Sequence, residues 1–528
     1  MIALRQKENL RRFGGRLWGQ PETSYRFEEK KMEILRCREA RSTGAAVSAG
    51  MPEVNQGDAV VEDVTWRLSD VLLATGGRFV SGPAKAKFGG VSTDTRTIKK
   101  GDLFVALSGA NFDGAEFALE AVQKGAGGIV VDVVPDEVLD VPVIQVDDTL
   151  HALGDLAAYR RAEVTDLKVV AITGSSGKTT VKEMSAAILA DEFNVLKTKG
   201  NFNNLIGMPL SLLPVDNQHD VAVLEMGMNR PGEIARMAEI ADPDIACIVN
   251  IQAAHLAGLG SVEGVARAKG ELFRGCSSWA RLCVNYDDKM VRALARKLHQ
   301  DKIPYGRHCK ALIRATHVKN MGEKGMAFTL HVGGERQRLQ MSVMGEHNVS
   351  NALAAAAIGH AAGLDISQIV EGLEKFKAFD KRLEIMDIGG LKIVNDCYNA
   401  NPASMMAAFD TVQAMRGSRK TIAILGDMLE LGEESEKAHR RLGEMVACKG
   451  FDYLLVYGEY SKIVAQGAMD ASMARRQVHQ LPDKEAILQT IFECMEEKSF
   501  GPGDYFLVKG SRGMCMEKII EGLQRELG

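Results

Sequence analysis

Ala171-Ile172-Thr173-Gly174-Ser175-Ser176-Gly177-Lys178-Thr179-Thr180 is the stretch on which the reading of this 528-residue chain turns. Leu167 to Thr173 reads as a buried strand and Lys178 to Ala190 as a helix, with a glycine-rich turn between them. Backbone N–H groups of Gly174, Ser175, Ser176, Gly177, Lys178 and Thr179 can there converge on phosphate oxygens at the positive end of a helix dipole. Lys178 then reaches the β- and γ-phosphates, and the Thr179 hydroxyl reaches a magnesium ion. The common P-loop spacing asks for a glycine five residues before Gly177, where Ile172 stands; Gly174 supplies the turn instead. A strand-to-helix turn that binds nothing is the plainer alternative, and Gly-Lys-Thr-Thr at the right place argues against it.

Length and composition set the frame. At 528 residues the chain is expected to form about three domains. A net charge of -4 argues against a general nucleic-acid binder, whose footprint is a basic domain. The nine cysteines are scattered without a C-x-x-C pair, which suggests thiols of a reducing compartment rather than a disulfide framework or zinc site. No apolar run approaches the roughly 18 residues of a membrane-spanning helix, Ala352 to Ile358 being the richest. The first fifty residues carry eleven Lys/Arg against six Asp/Glu, and no apolar segment of a secretory signal follows. Residues 1–61 read as a poorly ordered extension, with a targeting or partner-binding arm and a start at Met51 as alternatives.

Three blocks follow. Residues 62–150 read as a small α/β module, with strands at Leu103 to Leu107 and Gly128 to Val133 around a helix near Ala115 to Lys124. In residues 151–376, strands at Val221 to Met226, Ile245 to Ile251 and Leu282 to Tyr286 alternate with helices, which predicts a mainly parallel sheet covered on both faces. After Pro304, Leu312 to Val318, Met326 to Val332 and Arg336 to Val343 read as antiparallel strands appended to that sheet. Helices are expected at Asn348 to Ala362 and Ile366 to Phe376. Residues 377–528 alternate again in the manner of a Rossmann layer, without a G-x-G-x-x-G fingerprint. The fold class is thus α/β, with three domains.

Further chemistry lies at strand ends. Glu225 closes the apolar strand Val221 to Leu224, where a magnesium ligand belongs beside a triphosphate. His255, in Asn250-Ile251-Gln252-Ala253-Ala254-His255, and Lys269, in Ala268-Lys269-Gly270-Glu271, are weak signals singly. Their place at the sheet edge that carries the P-loop raises their weight. Asn348 and Asn351 share a helix face, and an amide can pair with an adenine edge; helix capping by Asn348 fits equally well.

Taken in order, these pieces resemble the Mur ligase family of ATP-dependent amide-forming enzymes. The resemblance rests on the short T-G-x-x-G-K-T-T turn, Gly200-Asn201-Phe202-Asn203-Asn204, Glu225-Met226-Gly227-Met228-Asn229, Ala268-Lys269-Gly270-Glu271, Gly345-Glu346-His347-Asn348, Asn395-Asp396-Cys397-Tyr398-Asn399-Ala400-Asn401-Pro402, Leu425-Gly426-Asp427-Met428 and Lys509-Gly510-Ser511-Arg512-Gly513. It runs from Trp66 to the C-terminus. Val91 to Arg96 looks like the family's site for the uridine end of the substrate. One departure is Lys381, where relatives often carry glycine before the arginine that aligns with Arg382.

The resemblance implies ATP and Mg2+ as cofactors. Gly174 to Thr180, Asn348, Asn351, Arg382 and Asp396 would hold ATP; Thr179, Glu225, His255 and a carbamylated Lys269 would serve the metal; Lys178, Lys269, His255 and Arg382 would be catalytic. Substrate contacts would come from Ser92, Thr93, Asp94, Arg96, Asn203, Asn204, Tyr398, Asn399 and Asn401. Within the family it implies the branch that joins D-alanyl-D-alanine to UDP-N-acetylmuramoyl-tripeptide through an acyl phosphate, in peptidoglycan precursor synthesis; a cytoplasmic protein and a monomer are expected. The rivals are a third-residue-adding ligase, a folylpolyglutamate synthetase and, from another class, a P-loop switch ATPase. The absence of a D-N-P-R motif and the run from Asn395 to Pro402 argue against the first two, and a switch ATPase leaves the outer blocks unexplained.

Overall fold

The computed structural model describes residues 65–109, 113–377 and 381–528; the extension expected over residues 1–61 lies outside them. The sheet that carries the P-loop has nine strands. From one edge they run Glu335–Met341, Met326–Val332, Ile313–Asn320, Asp301–Tyr305, Arg281–Asn285, Ile245–Ile248, Lys168–Thr173, Val221–Glu225 and Val195–Lys197. The first three pair antiparallel and the rest parallel, as the α/β reading expected. Val169, Val170, Ala171 and Ile172 are each fully buried. A parallel strand covered by helices on both faces needs such a continuous apolar run rather than an alternating one.

Chain order reverses at Lys168–Thr173: the next two strands lie on one side of it and Ile245–Ile248 on the other. A crevice opens at the carboxyl ends of strands at such a point. Register then places the chemistry, because Glu225 pairs with Ile172 and so ends level with the glycine turn. Behind the turn, helix Lys178–Leu189 packs on Glu346–Ala362 and Ile366–Lys375. The run Ala354 to Ala357 is fully buried there. Gly372 lies so near that an added Cβ would stand 2.5 Å from the Ile188 Cα, so a side chain at that position would force the helices apart.

Three sequence expectations shift. The strand expected to reach Ile251 leaves the sheet after Ile248, because the backbone and side chains of Asn250 and Gln252 bond to the P-loop instead of to a neighbouring strand. Asp301–Tyr305 is a strand the sequence hid behind Pro304. The Pro304 carbonyl accepts from Leu312 just before the next strand begins at Ile313, so the missing N–H falls where pairing has not started. Helix Thr149–Glu163 was also unread; it is buried on several faces and lacks the one-sided stripe of a surface helix.

The first module has a five-stranded sheet. Its Trp66, Leu68 and Val71 join helix Thr149–Glu163 and the central sheet in one continuous core. The third module has a six-stranded sheet ordered Glu384–Ile388, Leu391–Asp396, Tyr505–Lys509, Thr421–Leu425, Tyr453–Val456 and Val478–Gln480, parallel except at the first strand. It has separate cores on its two faces. It meets the central module at the crevice and at the Tyr505 hydroxyl, which donates to Glu323 at 2.7 Å.

Candidate active site

The turn after Lys168–Thr173 closes tightly. Gly177 has φ 78, and a Cβ there would meet the Asn351 amide oxygen at 2.5 Å, so only glycine fits. Ser175 N–H donates to the Asn250 carbonyl (3.1 Å) and Ser176 N–H to the Asn250 side-chain oxygen (3.0 Å). Gln252 N–H donates to Ser175 Oγ at 2.9 Å. The amides of Ser175 and Ser176 are thus engaged within the protein. Those of Lys178, Thr179 and Thr180 open the helix, where no preceding turn supplies an acceptor. Lys178 Nζ donates to the Gly174 carbonyl at 3.0 Å. Burial pushes its amine below the ordinary lysine value, against the pull of Glu225.

Glu225 is 1 % exposed. Its carboxylate accepts from Thr179 Oγ1 (2.9 Å) and Asn203 Nδ2 (2.7 Å), and its N–H donates to Thr198 Oγ1 (3.0 Å). Asn203, expected at the substrate, lines the cavity and also holds this carboxylate. Asn204 accepts from the N–H of Gly207, the first residue of the helix Gly207–Leu212. Lys269 is fully buried, with its Nζ 3.4 Å from the Met228 sulfur. Burial first and Lys178 second push that amine well below the ordinary lysine value. A neutral amine is a nucleophile, which is the state that carbamylation by CO2 requires.

His255 begins the short helix that follows the Ile245–Ile248 strand and has φ 55. Its Nδ1 stands 2.8 Å from Glu430 Oε2 of the third module, off the angle of a hydrogen bond. Arg382 also crosses between modules. Its Nη2 donates to Thr179 Oγ1 at 2.9 Å, and its guanidinium lies 4.1 Å from the centre of the Tyr398 ring. Lys381 has φ 59 and Leu383 φ 52. The left-handed backbone at Lys381 is the conformation that glycine, expected there from the resemblance, adopts without strain. Asp396 accepts from buried Lys509 at 2.6 Å.

Asn348 Nδ2 donates to the Met344 carbonyl and Asn351 Nδ2 to Asn348 Oδ1. The helix is capped at Gly345, which removes the capping role considered for Asn348. Asn401 caps Pro402–Met415 by accepting from Ser404 N–H at 2.8 Å, and Asn399 accepts from Ala400 N–H.

These side chains enclose one cavity of about 1060 Å³ between the central and third modules. Of the expected site residues, Gly174 and Lys269 lie behind its wall. Ser92, Thr93, Asp94 and Arg96 lie apart from it, on the first module. There the Arg96 guanidinium holds the Asp94 carboxyl at about 2. Asn250, Gln252, Glu430 and Lys509 were not singled out as site residues. Asn250, Gln252 and Lys509 stood within stretches already quoted, and Glu430 follows Leu425-Gly426-Asp427-Met428 closely, but an isolated polar residue carries no spacing signal. Among the described residues no three His, Cys, Asp or Glu side chains cluster as a metal site.

Comparison with known proteins agrees with this geometry. Three family models match: the Mur ligase family catalytic domain over residues 87–161, the Mur ligase middle domain over 172–359 and the Mur ligase glutamate ligase domain over 381–512. The UDP-N-acetylmuramoyl-tripeptide--D-alanyl-D-alanine ligase of Escherichia coli K12 is 38% identical, over 82% of this chain and 93% of its own. The enzyme of the same name from Bacillus subtilis 168 is 36% identical with the same coverage. A crystal structure of MurF from Acinetobacter baumannii superposes with a TM-score of 0.81 at 32% identity, covering 88% of this chain and 99% of that one. MurF from Thermotoga maritima in complex with ADP gives 0.73 at 26% identity, covering 83% and 97%. With the phosphate turn, the buried carboxylate and lysine, and the three matched regions in place, the chain belongs to the Mur ligase family.

Proposed function

We propose that this chain is a ligase that joins D-alanyl-D-alanine to UDP-N-acetylmuramoyl-tripeptide at the expense of ATP, in the cytoplasm and as a monomer. The observation that carries this reading is the single cavity in which the P-loop, Glu225 and His255 face Arg382, Asp396 and Tyr398 of the third module. A carboxylate is a poor electrophile. Its oxygen attacks the γ-phosphorus of ATP, ADP leaves, and the acyl phosphate forms. The dipeptide amine then adds to the acyl carbon; collapse of the tetrahedral adduct releases phosphate, and the amine proton goes to solvent.

Lys178 and Arg382 bring positive charge to the phosphate end, where negative charge shifts during transfer. The amides of Lys178, Thr179 and Thr180 would cradle the phosphates on a turn shaped by Gly174 and Gly177 and braced through Ser175 and Ser176; Asn348 and Asn351 would lie toward the adenine and Asp396 toward the ribose. The fit to Mg2+ rests on oxygen donors. Thr179 and Glu225 already share a hydrogen bond, and carbamylation would give Lys269 an anionic oxygen pair in place of an amine whose contact is a sulfur. Thr179, Glu225, His255 and carbamylated Lys269 would hold or support the metal, which when bound neutralises phosphate charge. Ser92, Thr93, Asp94 and Arg96 would take the uridine end. Tyr398, Asn399 and Asn401 would line the peptide end with Asn203 and Asn204. In this reading residues 62–150, 151–376 and 377–528 bind the nucleotide-linked substrate, ATP and the amine side respectively.

The test is phosphate release and amide formation with D-alanyl-D-alanine, a diamino acid and glutamate offered in competition. Amide formed with the dipeptide supports the reading. Preference for either other amine, or phosphate release indifferent to any amine, overturns it.

A further inference from the structure

Two residues with left-handed backbone meet across the cleft: His255 (φ 55) on the central module and Glu430 (φ 66) on the third. Neither is glycine, and such conformations persist where the surroundings over-determine them. On the Glu430 side the cause is visible. The Asp427 carboxylate accepts from the N–H groups of Glu459 (2.7 Å) and Tyr460 (3.2 Å). Met428 N–H donates to buried His439 (2.9 Å) and Leu429 N–H to Ser511 Oγ (2.8 Å). Three successive residues are therefore fastened to the third module, and the fourth, Glu430, reaches out to His255. Two residues on, Gly432 packs on Ala257, where an added Cβ would stand 3.5 Å from the alanine Cβ.

We propose that Glu430 is a positioning residue that, through His255, fastens the third module over the phosphate turn. The contact brings the module that carries Arg382, Tyr398 and Asn401 to the place where Lys178 meets the reacting phosphate. Its consequence for turnover rests on the ligase reading above; the contact itself is tested apart from it.

Ala257 and Gly432 are both exposed, and an added Cβ at 432 would stand 3.5 Å from the Ala257 Cβ but 3.2 Å from its Cα, so cysteines there are adjacent without facing each other and are joined by a short bismaleimide spacer rather than directly. Cys515 itself has φ 48, so this chain already holds a left-handed cysteine. The full-length A257C/G432C protein, shown to be folded by its thermal unfolding, is treated with the spacer and the linked peptide followed by mass spectrometry. The link is expected to form, and to form about threefold to fivefold more slowly when E430A is added, with E430Q between. In the otherwise unaltered enzyme, E430A is expected to lower kcat about tenfold and to raise the phosphate released per amide formed, with the KM for ATP little changed. Equal linking rates in all three backgrounds, or no link in a folded parent, overturn the proposal. A loss confined to the KM for ATP overturns it too. If no amine is ligated, the ligase reading fails while the linking rates still decide the contact.

Discussion

Lys178 shows what a single residue contributes. Its one hydrogen bond goes back to the turn's own Gly174 carbonyl, so removing the side chain takes charge from the phosphate end and leaves the core intact. Lys178→Ala is expected to lower ligation by about a hundredfold or more, with thermal stability changed by less than about 1 kcal/mol. Near-normal turnover would remove the lysine from the phosphate site. Lys269 is a different case, since a buried amine beside a thioether and a second lysine has nothing to stabilise a charge. Lys269→Ala is expected to be inactive and partly restored by a small carboxylate such as formate, measured as amide formed; full activity without the additive would exclude a carbamate. Much at this scale was legible. Glycine, lysine and threonine at fixed offsets define a turn, and a carboxylate ending an apolar strand declares itself. Asn250 and Gln252 did not, because what matters is a hydrogen bond between loops 74 to 77 residues apart.

At the scale of elements, the loops between strands decide the geometry. His439 receives the Met428 N–H on Nε2 and directs Nδ1 to the Ser435 carbonyl at 2.7 Å, an arrangement that needs the neutral ring. Burial pushes its pKa below the ordinary 6.5. The unfolded chain therefore takes up a proton that the folded one does not. The stabilisation is complete above about pH 6.5 and declines as pH falls below it. His439→Phe is expected to cost about 1–3 kcal/mol at neutral pH by orphaning that N–H. It should also flatten the fall in melting temperature between about pH 7.5 and about pH 5.5; an undiminished fall would show that another group titrates. At the junction before the third module, Lys381→Gly is expected to keep turnover. Lys381→Val should lose about 1–2 kcal/mol of stability, the penalty of a branched side chain in a left-handed backbone. Elements were read well where apolar runs were uninterrupted: Met326–Val332 stands where expected, and Val221–Glu225 ends one residue short of the run read to Met226. They were missed where a local signal misled, as at Pro304, or where a helix is buried on several sides, as at Thr149–Glu163.

Across the whole molecule, the cores divide the chain unevenly. Trp66, Leu68, Val71, Leu103 and Ile144 share a core with Leu224, Met237 and Phe273, whereas residues 383–523 supply their own. A fragment of residues 381–528 is therefore expected to unfold cooperatively on its own, followed by circular dichroism. A fragment ending at residue 148 should not, since it lacks the helix against which Trp66 and Leu68 pack. Three blocks were legible from rhythm alone; this sharing was not, because packing between modules leaves no period in a sequence. The outer strand Glu335–Met341 has one further consequence. A sheet that ends in an open row of amide and carbonyl groups invites a second molecule to continue it, and here Glu335, Arg336 and Arg338 stand exposed along that border while Glu374 captures the Gln340 N–H at 3.1 Å. Charge and one borrowed carboxylate thus oppose the edge-to-edge growth that a nine-stranded platform would otherwise invite.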